Sequence, residues 1–195
     1  MATDRYPRTF SGRIASQMAG EFSAFLRLLN DHGVQSYLEI GSREGDSFHE
    51  IMISLPRGSR GVAVDMPGGH WGKPTSSRKL MRAVHDLKRR GYDVSYFFGD
   101  STADGTFEEV KSRGPYDAVL IDGDHRYEGV KSDWLRYGKL APIVAFHDIV
   151  GTGQKDKHGS QVEVPRLWAE LKPDHKHQEY VDDGSAMGIG VLFHE

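Results

Sequence analysis

Apolar positions along this chain switch repeatedly between two periods. Phe22, Phe25, Leu26 and Leu29 recur at helical spacing and predict an amphipathic helix that ends near Gly33. Short runs with both neighbours apolar follow: SYLEIG (36–41), GVAVDM (61–66), VSYFFGD (94–100), YDAVLIDG (116–123) and PIVAFHDI (142–149), each closed by Gly or an acid. Between them helical periods return, at Phe48, Ile51, Met52 and Leu55, at Leu80, Met81, Val84 and Leu87, at Phe107 and Val110, and at Tyr127, Val130, Trp134 and Tyr137. Strands apolar on both faces that alternate with helices predict a parallel sheet covered on both sides. The right-handed crossover then makes it a doubly wound, Rossmann-like α/β fold. Beyond residue 150 a polar loop, GTGQKDKHGSQ, leads to a helix with Pro165 in its first turn and Val164, Leu167, Trp168 and Leu171 on one side. Two last strands, HQEYVD (177–182) and GIGVLF (188–193), predict an antiparallel edge hairpin.

Length and charge narrow this picture. A chain of 195 residues with 37% hydrophobic content suits one domain, residues 1–195, with a polar, loosely ordered start over residues 1–15. A net charge of −3 gives no global attraction to nucleic acid or an anionic membrane. The local exception is RKLMRAVHDLKRR (78–90), where six Lys and Arg face only Asp86; it reads first as a helix with a solvated basic face. The absence of cysteine excludes disulfides and thiolate metal sites, and the lack of a signal-like or membrane-spanning run leads to the expectation of a cytoplasmic protein.

In an open α/β sheet the ligand sits beyond the carboxyl ends of the strands. Those ends carry Glu39 and Gly41, then Asp65, then Asp100, then Asp122, Asp124 and His125, then His147 and Asp148. Gly41 and Gly45 are spaced G-x-x-x-G, so a tight strand-to-helix turn explains them as well as a ligand does. Ser47 with Glu50 predicts a capping box for the following helix. A carboxylate at Asp65 stands where it can accept hydrogen bonds from both hydroxyls of a ribose. Together the two features imply an adenosine-type ligand. His125, His147 and Asp148 also admit a reading as two histidines and a carboxylate around non-haem iron, which leaves the adenosine signals without a role.

The strings YLEIGSREG, VAVD, GDS, IDGDHRYEGVKSDW and FHDI, in this order, resemble class I S-adenosylmethionine-dependent methyltransferases over roughly residues 20 to 195. The likeness is to the branch with sugar O-methyltransferases and cephalosporin-hydroxylase-like proteins, and IDGDHRYEGV is its most specific part. That resemblance implies Glu39, Gly41, Ser42 and Gly45 at the methionine end of the cofactor, Asp65 with Met66 at its ribose, and Asp100 with Ser101 at its adenine, with Asp122 also beside it. It further implies a divalent cation, Mg²⁺ or Mn²⁺, on Asp122, His147 and Asp148; a His at one ligand position tilts preference away from Mg²⁺. His125 is then the expected general base, with Asp122 as second choice. The expected activity is methyl transfer to a hydroxyl of a small molecule or glycosyl group. The alternatives are a nucleoside or nucleic-acid methyltransferase, supported only by the basic helix, and a non-catalytic S-adenosylmethionine-binding module. No membrane partner is expected, nucleic acid is disfavoured, and a homo-oligomer is compatible with the sequence. The segments PGGHWGKPTSS (67–77) and GTGQKDKHGSQ have the composition of lids, with Trp71 able to stack on a ring.

Overall fold

The computed structural model describes residues 19–194 apart from 72, 152–154 and 156–157, so the expectation for residues 1–15 lies outside the described residues. Among the described residues five strands run parallel: β1 (Ser36–Ile40), β2 (Arg60–Asp65), β3 (Asp93–Phe98), β4 (Ala118–Ile121) and β5 (Ile143–His147). Two more, β6 (Lys176–Tyr180) and β7 (Ile189–Phe193), form the expected hairpin. The order across the sheet is β3-β2-β1-β4-β5-β7-β6, with β7 antiparallel to β5. The later strand of the hairpin therefore lies inside and β6 forms the edge. Composition explains the choice: β7 (IGVLF) is buried over its first four residues, whereas β6 (KHQEY) is exposed over its first four.

Helices cover both faces. One core collects side chains of α1 (Ala19–Asp31), α2 (Asp46–Ser54) and α3 (Ser76–Arg89); the other collects those of α4 (Asp104–Ser112), α5 (Tyr127–Tyr137) and α6 (Val164–Leu171). Strand alternation feeds both: Tyr37, Ala118, Leu120 and Ala145 face the first core, and Leu38, Ile40, Val119 and Val144 the second. The helical periods hold with local shifts. In α1 Leu28 is buried and Leu26 only partly so, and in α3 Met81 is 45% exposed while Ala83 takes the inward place. Among the described residues no helix is long and apolar enough to cross a membrane.

Glu21, itself buried, accepts from the Asp182 N–H at 2.9 Å and the Gly188 N–H at 3.2 Å. Gly188 and Met187 in turn receive the N–H groups of Ile149 and Val150 through their carbonyls, at 3.4 and 2.7 Å. The first helix thus steadies the loop after β5.

Candidate active site

Close approach of two strand ends builds the site. The Gly41 N–H bonds the Val64 carbonyl at 2.8 Å and the Asp122 N–H bonds the Ile40 carbonyl at 2.8 Å, which draws the turn after β1 against the chain after β4. Gly41 has φ +95°, and a Cβ there would stand 2.1 Å from the Asp122 carbonyl oxygen. Only glycine meets both demands.

A cavity of about 210 Å³ opens at the carboxyl ends of β1 to β4. Its wall includes Gly41, Asp65, Met66, Asp100, Ser101 and Asp122, six of the positions expected around a cofactor. Asp65 accepts from the Arg43 N–H at 2.9 Å; burial pushes its carboxyl up, against the opposing effects of that bond and of the Ser76 hydroxyl. Asp100 accepts from the Thr102 N–H at 2.9 Å and its hydroxyl at 2.7 Å, which fixes the turn carrying Ser101. Glu39, Ser42 and Gly45 do not line the cavity. Glu39 is fully buried beneath it, accepting from Tyr37 Oη and Ser47 Oγ at 2.8 Å each, and burial lifts its carboxyl to about 7. The capping box at Ser47 does not form: α2 starts after Gly45, without a side-chain cap, and the Ser47 hydroxyl serves Glu39 instead.

The motif after β4 divides its labour. Asp124 accepts from the Arg126 backbone N–H and from its Nε, both at 3.0 Å, and so fixes the entry to α5. Gly129 leaves room for that carboxylate, since a Cβ there would lie 2.3 Å from it. Asp122 and His125 turn instead toward the end of β5. His125 Nε2 lies 3.4 Å from Asp122 Oδ1 and its Nδ1 lies 2.7 Å from Asp148 Oδ2; His147 Nδ1 is 3.3 Å from Asp122 Oδ1 and 3.3 Å from Asp148 Oδ1. Asp148 adopts φ +62°, a left-handed conformation uncommon outside glycine but tolerated by Asp and Asn, and its carboxylate lies in the cluster.

Despite these distances, His125 Nδ1, both His147 ring nitrogens and Asp148 Oδ1 are buried without an aligned hydrogen bond. Contacts of charge without hydrogen-bond geometry suit a cluster that shares imidazolium protons as well as one that holds an ion. Burial acts against charge on all four groups, yet their mutual attraction wins. His125 is lifted to about 9 by Asp122 and Asp148, His147 also rises, and both carboxyls are held below their usual range by the two imidazoles. Two buried acids here require positive charge, from imidazolium protons or from an ion. Asp122, His125 and Asp148 each offer a ligand atom, all within 4.8 Å of one another. Ligands at adjacent positions around an ion bound at about 2.1 Å stand about 3 Å apart; the two contacts of His147 Nδ1, at 3.3 Å, match that scale, whereas His125 faces the two acids with different ring nitrogens. The residues present therefore fit a divalent cation on Asp122 and Asp148 with an imidazole beside them: His125 completes one set of donor atoms, and His147 Nδ1, 3.3 Å from an oxygen of each acid, is placed to complete the set expected from the sequence.

Several contributors were not read from the sequence. Arg43, Gly123 and Arg126 line the cavity; the first sits inside the glycine loop and the other two inside the motif after β4, where proximity was the only available signal. Trp71 also lines it and stacks on His125 with ring centroids 4.6 Å apart and planes 24° apart. His70 packs edge-on to His158 at 5.0 Å, so the two lid-like segments meet each other.

Residues 38–149 match a family described as a methyltransferase domain. Glycine/sarcosine N-methyltransferase of Parasynechococcus marenigrum (strain WH8102) is 30% identical over 122 residues, which are 63% of this chain and 37% of that protein. The chain thus spans well under half of that relative's length. An O-methyltransferase from Bacillus cereus, solved in complex with SAH, superposes with a TM-score of 0.64 at 18% identity, covering 92% of this chain and 84% of that one. An O-methyltransferase from Streptomyces achromogenes involved in tomaymycin synthesis, solved with SAM, gives 0.66 at 15% identity, covering 94% and 82%. At such identities the likeness speaks to the fold.

Proposed function

The chain belongs to the methyltransferase-domain family and is a class I S-adenosylmethionine-dependent methyltransferase, and from that premise we propose that it methylates a hydroxyl oxygen of a small-molecule or glycosyl acceptor at a divalent-cation centre. The observation that carries this reading is the cluster of Asp122, His125, His147 and Asp148 at the edge of the cavity, with buried polar atoms that no hydrogen bond satisfies. The cofactor occupies the cavity, with its ribose at Asp65 and its adenine at Asp100 and Ser101. Of the four cluster residues only Asp122 lines the cavity, so it links the cofactor's site to the cluster where the acceptor is activated.

In the reaction the acceptor oxygen displaces the sulfonium sulfur in line: an O–C bond forms, the S–C bond breaks, and S-adenosylhomocysteine leaves while the acceptor's proton is taken up. Positioning of the two reactants supplies much of the acceleration. Bound in the cluster, a divalent cation lowers the pKa of an acceptor hydroxyl and balances the two carboxylates. His125 accepts the proton only where His147 and not His125 holds the ion, and only in its neutral form, which its lift to about 9 withholds at neutral pH while Asp122 and Asp148 are uncompensated. Trp71, stacked on His125, keeps water from that imidazole and offers its edge of the cavity to an acceptor ring.

Two measurements test the reading. Calorimetry is expected to show S-adenosylhomocysteine binding more tightly than NAD, with Asp65→Ala losing about 1–3 kcal/mol, the usual worth of hydrogen bonds to a charged group. Equal or tighter NAD binding overturns the assignment of the cavity. With radiolabelled S-adenosylmethionine and a panel of glycosides, small hydroxylated compounds and amines, label is expected in ethers and to vanish with chelator; label confined to amines sinks the oxygen-acceptor reading.

The basic stripe on α3 is the one feature that favours a nucleic-acid acceptor, because Arg78, Arg82, His85 and Arg89 line a shared groove. Binding to RNA or DNA through that stripe is expected to be weak and lost by about 0.2 M salt, as few phosphate contacts imply. Salt-resistant binding in a gel-shift assay favours the nucleic-acid reading instead.

A further inference from the structure

Asp133 plays no part in the chemistry above, yet it is fully buried in α5, and no well-aligned hydrogen bond reaches its carboxyl oxygens, the Ser101 hydroxyl being the nearby donor. A buried polar group without a well-aligned partner is destabilising, and a charged one more so. A Cβ on Gly123, part of the cavity wall, would stand 3.2 Å from Asp133 Oδ2, so the carboxyl lies directly behind that wall. The Ser101 side chain, also on the wall, bears on the same carboxyl. One turn further along α5, Tyr137 Oη donates to the Ser101 carbonyl at 2.8 Å, and Arg136 pairs with Asp104 at 2.9 Å. Successive residues of α5 therefore hold the segment after β3 that frames one side of the cavity.

We infer that Asp133 is a cofactor-positioning residue: in its neutral form it backs the Ser101 and Gly123 wall of the adenosine pocket, and its ionisation weakens cofactor binding. The inference rests on the assignment of the cavity to the cofactor. Its physical basis is desolvation. A bound adenosine displaces water from the cavity side of Gly123 and Ser101, and a carboxylate behind them becomes harder to charge. The groups that face Asp133 act in both directions. Burial is the largest influence and raises it, Asp124 and Asp100 raise it further, and Ser101 and Arg136 oppose, leaving it at about 7. Below that value the free and the bound protein both carry the proton, and affinity is independent of this group. Above it the free protein has lost a proton that binding must restore, so affinity falls as pH rises, by at most tenfold per pH unit.

Calorimetry with S-adenosylhomocysteine between pH 6 and 8.5, in buffers of differing ionisation heat, tests this. The wild type is expected to lose about tenfold in affinity from pH 6.5 to 8.5 and to take up a proton on binding at the upper end. Asp133→Asn, which resembles the neutral acid in shape, is expected to retain the affinity seen at pH 6.5 and to flatten the profile. A second measurement needs no variant. In protein labelled with carbon-13 at aspartate carboxyls alone, which leaves Glu39 silent, one resonance is expected to titrate near neutrality and to move to higher pH when S-adenosylhomocysteine is added. Binding that responds to Asp65→Ala but keeps its pH slope in Asp133→Asn overturns the role of Asp133 alone, as does an aspartate titration that the ligand leaves unmoved. Absence of binding at every pH, or binding indifferent to Asp65→Ala, overturns the cavity assignment and this inference with it.

Discussion

Mn²⁺ titrated into the protein is expected to bind at one site, and Asp148→Asn is expected to weaken that binding by at least about 100-fold, since even residues that only support a metal ligand are worth 10- to 100-fold. Asparagine tolerates the left-handed backbone that Asp148 adopts, so the change removes charge while sparing the turn. Affinity for S-adenosylhomocysteine should stay nearly unchanged, because Asp148 does not line the cavity. The same cluster sets a pH dependence of stability. His125 and His147 titrate higher in the folded protein than unfolded, so their contribution is complete below the ordinary imidazole value of 6.5 and is lost as pH rises through about 9 for His125. Asp122 and Asp148 are shifted down, so theirs is present above the ordinary carboxylate value of 3.8 and is lost as pH falls below it. With chelator present the melting temperature should therefore fall between pH 6.5 and 9, by about 5–10 °C if a few kcal/mol are at stake. Saturating Mn²⁺ should flatten that fall, because the ion replaces the imidazolium protons. A chelated protein whose stability does not change over that window, together with Mn²⁺ binding indifferent to Asp148→Asn, would falsify the metal centre.

Gly41→Ala is the second change with a large expected effect. The added methyl group meets the Asp122 carbonyl at 2.1 Å in a backbone conformation, φ +95°, that alanine disfavours. The chain after β4 cannot simply yield, because the Asp122 N–H is bonded to the Ile40 carbonyl. Left-handed strain and overpacking together should cost about 2–4 kcal/mol, and S-adenosylhomocysteine binding should drop below detection because Gly41 and Asp122 both shape the cavity. Gly58→Ala is the matched control. Gly58 has φ +88° with nothing within 4 Å of an added Cβ, so it should cost only about 1 kcal/mol and leave binding intact. Comparable losses at the two positions would show that backbone conformation alone, and not the approach of the two strand ends, makes glycine necessary at Gly41.

Much of the architecture is written in local pattern. Runs such as AVLI and IVAF are apolar at every position, and a strand so composed has no face to offer water, so a sheet covered on both sides follows from the chain itself. The candidate cavity was legible for the same reason: in such a sheet the strand ends converge, and Asp65, Asp100 and Asp122 needed only their place at those ends to be picked out. Where the reading missed, two demands competed for one side chain. Ser47 had the spacing of a cap, yet the buried carboxylate of Glu39 required a donor, and satisfying a buried acid outweighs a cap worth about 1 kcal/mol. That His125 stands between Asp122 and Asp148, beside His147, was not legible, because it depends on the path of the chain after β4.

What the sequence determined alone, then, is the set of elements, their alternation and the end of the sheet where chemistry gathers, because period, apolar content and turn residues act over a few neighbours. Tertiary structure decided the rest: that β7 lies inside β6, that Trp71 covers His125, that four side chains from two strand ends share one charge balance, and that Asp133 backs the Gly123 wall. Each of these is a contact between segments far apart in the chain. Its energy depends on burial and charge at distances of a few ångströms, which no local period encodes.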